Sequence, residues 1–149
     1  MEPPELFPTY PSDLSRALLA EAALQEEDPE GALEHLEAME LRGEPIHLHY
    51  LYSGARERFL RAELLAETER FEEALGWYES VLSLYDVDAV PYVATAHRGR
   101  ARALENLGHE EEAVEAYERF LELWQNADPV FQPKVEEAQE RLKQLTAEE

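Results

Sequence analysis

The apolar residues of this chain recur at helical spacing along almost its whole length. Leu14, Leu18 and Leu19 begin one stripe. Ala74, Leu75, Tyr78, Val81, Leu82 and Tyr85 form a second, and Ala113, Val114, Tyr117, Phe120, Leu121 and Trp124 a third. Steps of three and four residues return to one face of an α-helix, so each stripe reads as the buried side of an amphipathic helix. The alternation and tight-turn signals of a β-sheet are absent. IHLHYLY (residues 46–52) is ambiguous by itself, but it runs into SGARERFLRAELLAE, whose spacing is helical. Both are read as one long helix.

Breakers divide the pattern into about seven helices. Pro11-Ser12 opens the first near Ser12, a good N-cap. Asp28-Pro29 opens the second, with proline at the first helical position, where its missing N–H is not needed. Gly43-Glu44-Pro45 ends that helix, and Glu69-Arg70 is a weak turn before the fourth. Residues 86–91 separate the fourth from the fifth, and Leu107-Gly108-His109 supplies a glycine stop before the sixth. Asn126-Ala127-Asp128-Pro129 leads to a seventh that settles at Pro133, since a proline further inside would break it.

The stripes repeat one another. With an offset of 39, FEEALGWYESVLSLY lies over EEEAVEAYERFLELW, matching Ala74 to Ala113, Tyr78 to Tyr117 and Leu82 to Leu121. The same offset pairs Ala62 with Ala101 and Leu65 with Leu104 in the preceding helices. An offset of 42 lays a weaker copy, Glu30, Ala32, Leu33 and Glu37, over Glu72, Ala74, Leu75 and Glu79. Small residues recur where two helices must approach closely, and bulky ones where the next helix fills the gap. The unit is a helical hairpin, stacked about three times.

ARALENLGHEEEAVEAYERFLEL (residues 101–123) resembles the tetratricopeptide repeat, with Ala101, Leu104, Gly108, Ala113, Tyr117 and Leu121 at the family's positions. The middle copy follows at Ala62, Leu65, Phe71, Ala74, Tyr78 and Leu82, but has Glu69 where the family usually has glycine. The first keeps Ala20, Ala23, Ala32 and Leu36. Both offsets exceed the family's usual 34, which lengthens the units around residues 46–53 and 86–93. The resemblance implies an all-α, right-handed α-solenoid. Its expected division is an irregular segment (1–11), three hairpins (about 12–45, 46–86 and 87–126) and a C-terminal cap helix (127–149). It also implies a non-enzymatic scaffold that binds a peptide or protein segment in a concave groove lined by the first helix of each hairpin.

Charge sharpens that expectation. Thirty-four acids against thirteen bases give a formal charge of −21, which disfavours nucleic acid and anionic lipid as partners. The acidity is uneven. Residues 93–104 hold three arginines and no acid, and residues 54–70 balance four arginines with four glutamates. Residues 71–90 carry net −5 and residues 105–122 net −6. The least acidic segments are therefore the first helices of the second and third hairpins. If Ala101 and Leu104 face the paired helix, Arg98, Arg102 and Asn106 fall on the opposite stripe. The repeat register adds Phe59, Glu63 and Glu67, with Arg56 one turn before. These seven residues are the candidate groove, suited to a partner with an acidic side chain or C-terminal carboxylate that arginine can grip with two nitrogens. The competing reading makes Arg98, Arg100 and Arg102 internal struts to Glu63, Glu67 or Glu105.

Little else in the chain points to chemistry. Zero cysteines exclude disulfides and thiolate sites. HEEEA (residues 109–113) lacks the second histidine of a zinc-protease helix, and His47 and His49 would diverge on a helix. There is no phosphate-binding glycine loop or serine elbow, so neither enzymatic activity nor a cofactor or metal is expected. The N-terminal residues MEPPELFPTYPSDL have no secretory pattern and no apolar run approaches a membrane span, which reads as a cytoplasmic protein. The alternative function is self-association, a homodimer formed through residues 46–53 or the N-terminal hairpin, or an accessory regulatory domain of a larger signalling assembly.

Overall fold

The computed structural model describes residues 10–41, 54–84 and 87–147. These form seven α-helices, and no strand occurs among them: α1 (Tyr10–Gln25), α2 (Pro29–Glu37), α3 (Ala55–Glu67), α4 (Phe71–Leu82), α5 (Val90–Asn106), α6 (Glu110–Leu123) and α7 (Gln132–Ala147). A short 3-10 turn, Pro129–Phe131, precedes α7. The helices pack as successive pairs, α1 on α2, α3 on α4 and α5 on α6. Each pair lies against the next through α2–α3 and α4–α5, and α7 packs on α6. This is the all-α helical-repeat fold expected from the offsets.

The repeat register governs the core. Ala20, Ala62 and Ala101 occupy equivalent positions on α1, α3 and α5, and Ala32, Ala74 and Ala113 on α2, α4 and α6; all six are buried. Without side-chain bulk, the paired helices approach closely. Leu36, Tyr78 and Tyr117 follow one turn later and are buried in turn. Gly99 makes room for one of them, because a Cβ there would sit 2.3 Å from the Tyr78 ring Cζ. One repeat on, Ala138 of α7 is buried in the same apolar cluster as Tyr117, at the same offset of 39 from Gly99.

The turns inside the pairs repeat as closely. Glu27, Glu69 and Gly108 are all left-handed, with φ of 60°, 61° and 77°. The next amide reaches back to the helix each time: Asp28 N to Ala23 O, Arg70 N to Leu65 O and His109 N to Leu104 O, all at 2.9 Å. This is the Schellman closure, which satisfies a carbonyl the helix end would otherwise leave unpaired.

Three boundaries differ from the sequence expectation. α1 begins at Tyr10 rather than Ser12, because Pro11 is tolerated in a first turn that needs no N–H from it. α2 stops at Glu37, short of the glycine and proline at 43–45. The cause is tertiary: the buried Asp13 carboxylate of α1 accepts the amides of Glu40 and Leu41 at 3.1 and 3.3 Å, drawing the chain out of the helix. α3 starts at Ala55, entered through Gly54 at φ 66°. The single helix expected to include residues 46–54 therefore does not continue upstream of Ala55, and IHLHYLY itself lies outside the described residues.

Candidate protein-binding groove

The odd-numbered helices form one layer. Arg56 of α3 pairs with Glu21 of α1, and Phe59 of α3 lies against Tyr92 of α5 with ring centroids 5.3 Å apart. Arg98 of α5 holds Glu137 of α7 at 2.9 Å, and Arg141 of α7 pairs with Glu105 of α5. α3 and α5 also pack directly, whereas no comparable contact joins α4 to α6. This is the layer that the sequence reading takes as the inner, groove-lining face.

The sequence-predicted residues divide by what they touch. Arg56 is engaged with Glu21, which its raised pKa reflects, the hydrogen bond being the leading cause. Phe59 is half-buried and meets Tyr78 edge-on at 6.2 Å as well as Tyr92. Glu63 accepts the Tyr78 hydroxyl, while Glu67 is exposed. Arg98 has only 13% of its side chain exposed, against α7. Asn106 donates to the Arg102 carbonyl at 2.8 Å, within its own helix.

Arg102 stands apart. It is exposed, and of the three arginines of α5 it is the one with no carboxylate in ion-pair range among the described residues. Arg98 has Glu137, and Arg100 has Glu79 at 3.4 Å and Glu112 at 3.7 Å. The register explains why. Glu63 of α3, which takes the Tyr78 hydroxyl, corresponds to Arg102 of α5. The equivalent Tyr117 hydroxyl therefore donates to Glu105 instead, one turn further on, at 3.0 Å. The carboxylate has moved along the helix and a guanidinium occupies its former place. Burial is the main force holding the Tyr78 hydroxyl well above the ordinary tyrosine range, with Glu63 adding to it. Burial likewise pushes Tyr117 up to about 12. Arg102 acts against both shifts, so its charge is felt at each hydroxyl.

Glu21, Tyr92, Glu137 and Arg141 were not singled out from sequence. The last two lie four residues apart and match Arg98 and Arg102 at the offset of 39, so carrying the register past residue 126 would have found them. Trp77 is half-buried beneath the Arg61 guanidinium, 4.1 Å from the ring centroid. Arg61 also donates to the Leu36 carbonyl at 3.3 Å, and Arg58 to that of Leu41. Among the described residues no group of three His, Asp or Glu side chains is placed to hold a metal, and no helix is long and apolar enough to cross a membrane.

The family model of the tetratricopeptide repeat matches residues 99–124, which run from Gly99 in α5 through the turn and all of α6. This segment is similar to a tetratricopeptide repeat. It includes Arg102, Glu105, Asn106, the left-handed Gly108 and Tyr117, so Arg102 lies on the first helix of the matched segment. Tetratricopeptide repeats in general mediate contacts between proteins and are a scaffold rather than a catalytic fold. No curated protein matches the chain.

Proposed function

We propose that the inner face between α3 and α5 binds an extended segment of a partner protein, with Arg102 receiving a carboxylate of that segment. The observation that carries the reading is the unpaired Arg102 on a face whose other cations are engaged by glutamates. About 15 Å nearer the start of α5, the half-buried Phe59–Tyr92 pair offers aromatic surface for an apolar side chain of the same extended segment. The ligand is read as a short segment with an acidic side chain or free C-terminus and a bulky apolar residue near it. Glu67, exposed on the same layer, disfavours a second acid on that side. Arg98 and Arg56 act in this reading as struts that fix the spacing of the inner helices, and Arg102 is the contact.

A panel of short synthetic peptides, each with a free or an amidated C-terminus and with or without acidic side chains, tests it by titration. A carboxylate-dependent binder should emerge, and Arg102→Ala should weaken it by about 10- to 100-fold, the size of a lost charge-assisted hydrogen bond. Arg98→Ala should instead lower the melting temperature and leave binding by the folded protein intact. Binding indifferent to Arg102→Ala would refute the reading.

A further inference from the structure

In a chain with formal charge −21, one helix turns outward a face that carries no charged residue. The exposed side chains of α1 between residues 12 and 25 are Leu14, Leu18, Leu19 and Ala22, with two serines and Gln25 among them. Its three charged residues lie outside that face: Asp13 is buried against the end of α2, Arg16 is half-buried, and Glu21, 40% of its side chain exposed, borders the face and pairs with Arg56. Each of the other six helices presents at least one exposed charged side chain. At 100° per residue the uncharged positions fall within one arc of about 160°, and Ala17 and Ala20 face the other way, into the core. Leu14, Leu18 and Leu19 are 42%, 66% and 51% exposed. The end of a stacked-helix array normally carries a polar outer face. α7 meets that requirement with Lys134, Glu136, Glu140 and Lys143 exposed, whereas α1 does not.

We infer that this face of α1 is a homodimer interface, packed against the same face of a second copy about a two-fold axis. The inference is independent of the groove reading, since α1 contributes none of the residues proposed to hold a ligand. Charge selects the occupant. Two copies repel wherever their acidic surfaces meet, and the leucine face is where they can touch with no charge on either side. A two-fold contact must be self-complementary, and an apolar helix face without charges is complementary to itself. A partner recognised through this protein's acidity would dock elsewhere, because the face offers it no carboxylate.

The sign of the salt dependence makes the inference testable. Apolar contact opposed by like-charge repulsion strengthens as screening increases, whereas attraction between an acidic surface and a basic partner weakens. Sedimentation of the full chain at up to about 100 μM, a range suited to micromolar association, should show a dimer. That dimer should tighten between about 0.1 M and about 1 M salt, as the Debye length falls from roughly 10 Å to roughly 3 Å. Leu18→Glu should sediment as a monomer with unchanged helicity and melting, since the side chain is mostly exposed. Mixing Leu18→Glu with Leu18→Lys protein should recover a heterodimer, which also guards against reading a misfolded variant as a dissociated one. A monomer throughout, a dimer that weakens with salt, or a dimer that survives Leu18→Glu would overturn the inference. So would dimerisation that appears only after residues 1–9 are removed, because the face would then be covered by the chain's own N-terminus.

Discussion

Tyr78 concentrates several of the constraints that hold this fold. Its ring fills the space over Gly99 of the next hairpin, and its hydroxyl is anchored on Glu63 of its own. Gly99→Ala should therefore destabilise the protein even though alanine is the better helix former. The clash with an immobilised ring costs about 1–3 kcal/mol, against roughly 0.5–1 kcal/mol gained from helix propensity. A lowered urea midpoint would show it, and the loss should shrink when Tyr78 is replaced by leucine. His97 offers a second residue-scale test. Its pKa is held below the ordinary histidine range by burial first, then by Arg119 and Arg100. The folded state thus resists protonation more than the unfolded state does, so the stability this histidine contributes is present above its unfolded pKa, near 6.5, and is lost as pH falls below that value. Comparing wild type with His97→Gln between about pH 7 and pH 5 isolates that slope from the relief of acidic repulsion, which both proteins share. The wild type should lose ground to the variant on acidification; equal slopes would remove His97 from the account. Residue roles of this kind were only partly legible in the sequence. The stripe of Arg98, Arg102 and Asn106 follows from helical arithmetic, but which arginine is already engaged depends on where α7 lies. Gly99 gave no signal, because its meaning is the position of a tyrosine 21 residues earlier.

At the scale of the element, sequence and structure agree where the determinant is local and part where it is not. The three inner turns were legible because each is set by a handful of adjacent residues, and their left-handed positions are separated by the same 42 and 39 residues as the buried alanines. The end of α2 and the start of α3 were not. Asp13 ends α2 from another helix, and nothing near residue 38 announces it. The equivalence of the turns yields a prediction. Glu69 takes the conformation that Gly108 takes in the matched repeat, and a non-glycine residue is penalised there by about 1–2 kcal/mol. Part of that is offset by the greater chain entropy glycine loses on folding, roughly 0.5–1 kcal/mol. Glu69→Gly should accordingly raise stability by about 0.5–1 kcal/mol, and Gly108→Ala should lower it by a similar amount. Chemical denaturation of the two variants measures both; effects of the same sign would contradict the equivalence of the turns.

For the whole molecule, stability is a contest between a continuous apolar stack and the repulsion of its own surface. α6 alone sets six glutamates against one arginine, and the core continues through α7 by way of Val135 and Ala138. α7 is thus more than a solvating tail. It is buried with Tyr117 and Phe120 of α6 and Leu104 of α5, and it supplies the partners of Arg98 and Glu105. Removing residues 128–149 would expose that apolar stripe and leave the mostly buried Arg98 without its counter-ion, two of the established causes of severe destabilisation. The truncated chain should melt at lower temperature, bind a hydrophobic dye and aggregate. Added salt should not rescue it, because the defect is apolar exposure rather than net charge. The intact chain should instead gain thermal stability with salt, as screening relieves the repulsion among its carboxylates. Melting curves of the two proteins across a salt series separate these terms. A soluble truncation whose melting rises with salt in parallel with the intact chain would mean that α5 and α6 close the stack unaided, and that α7 is an addition to the fold rather than its last layer.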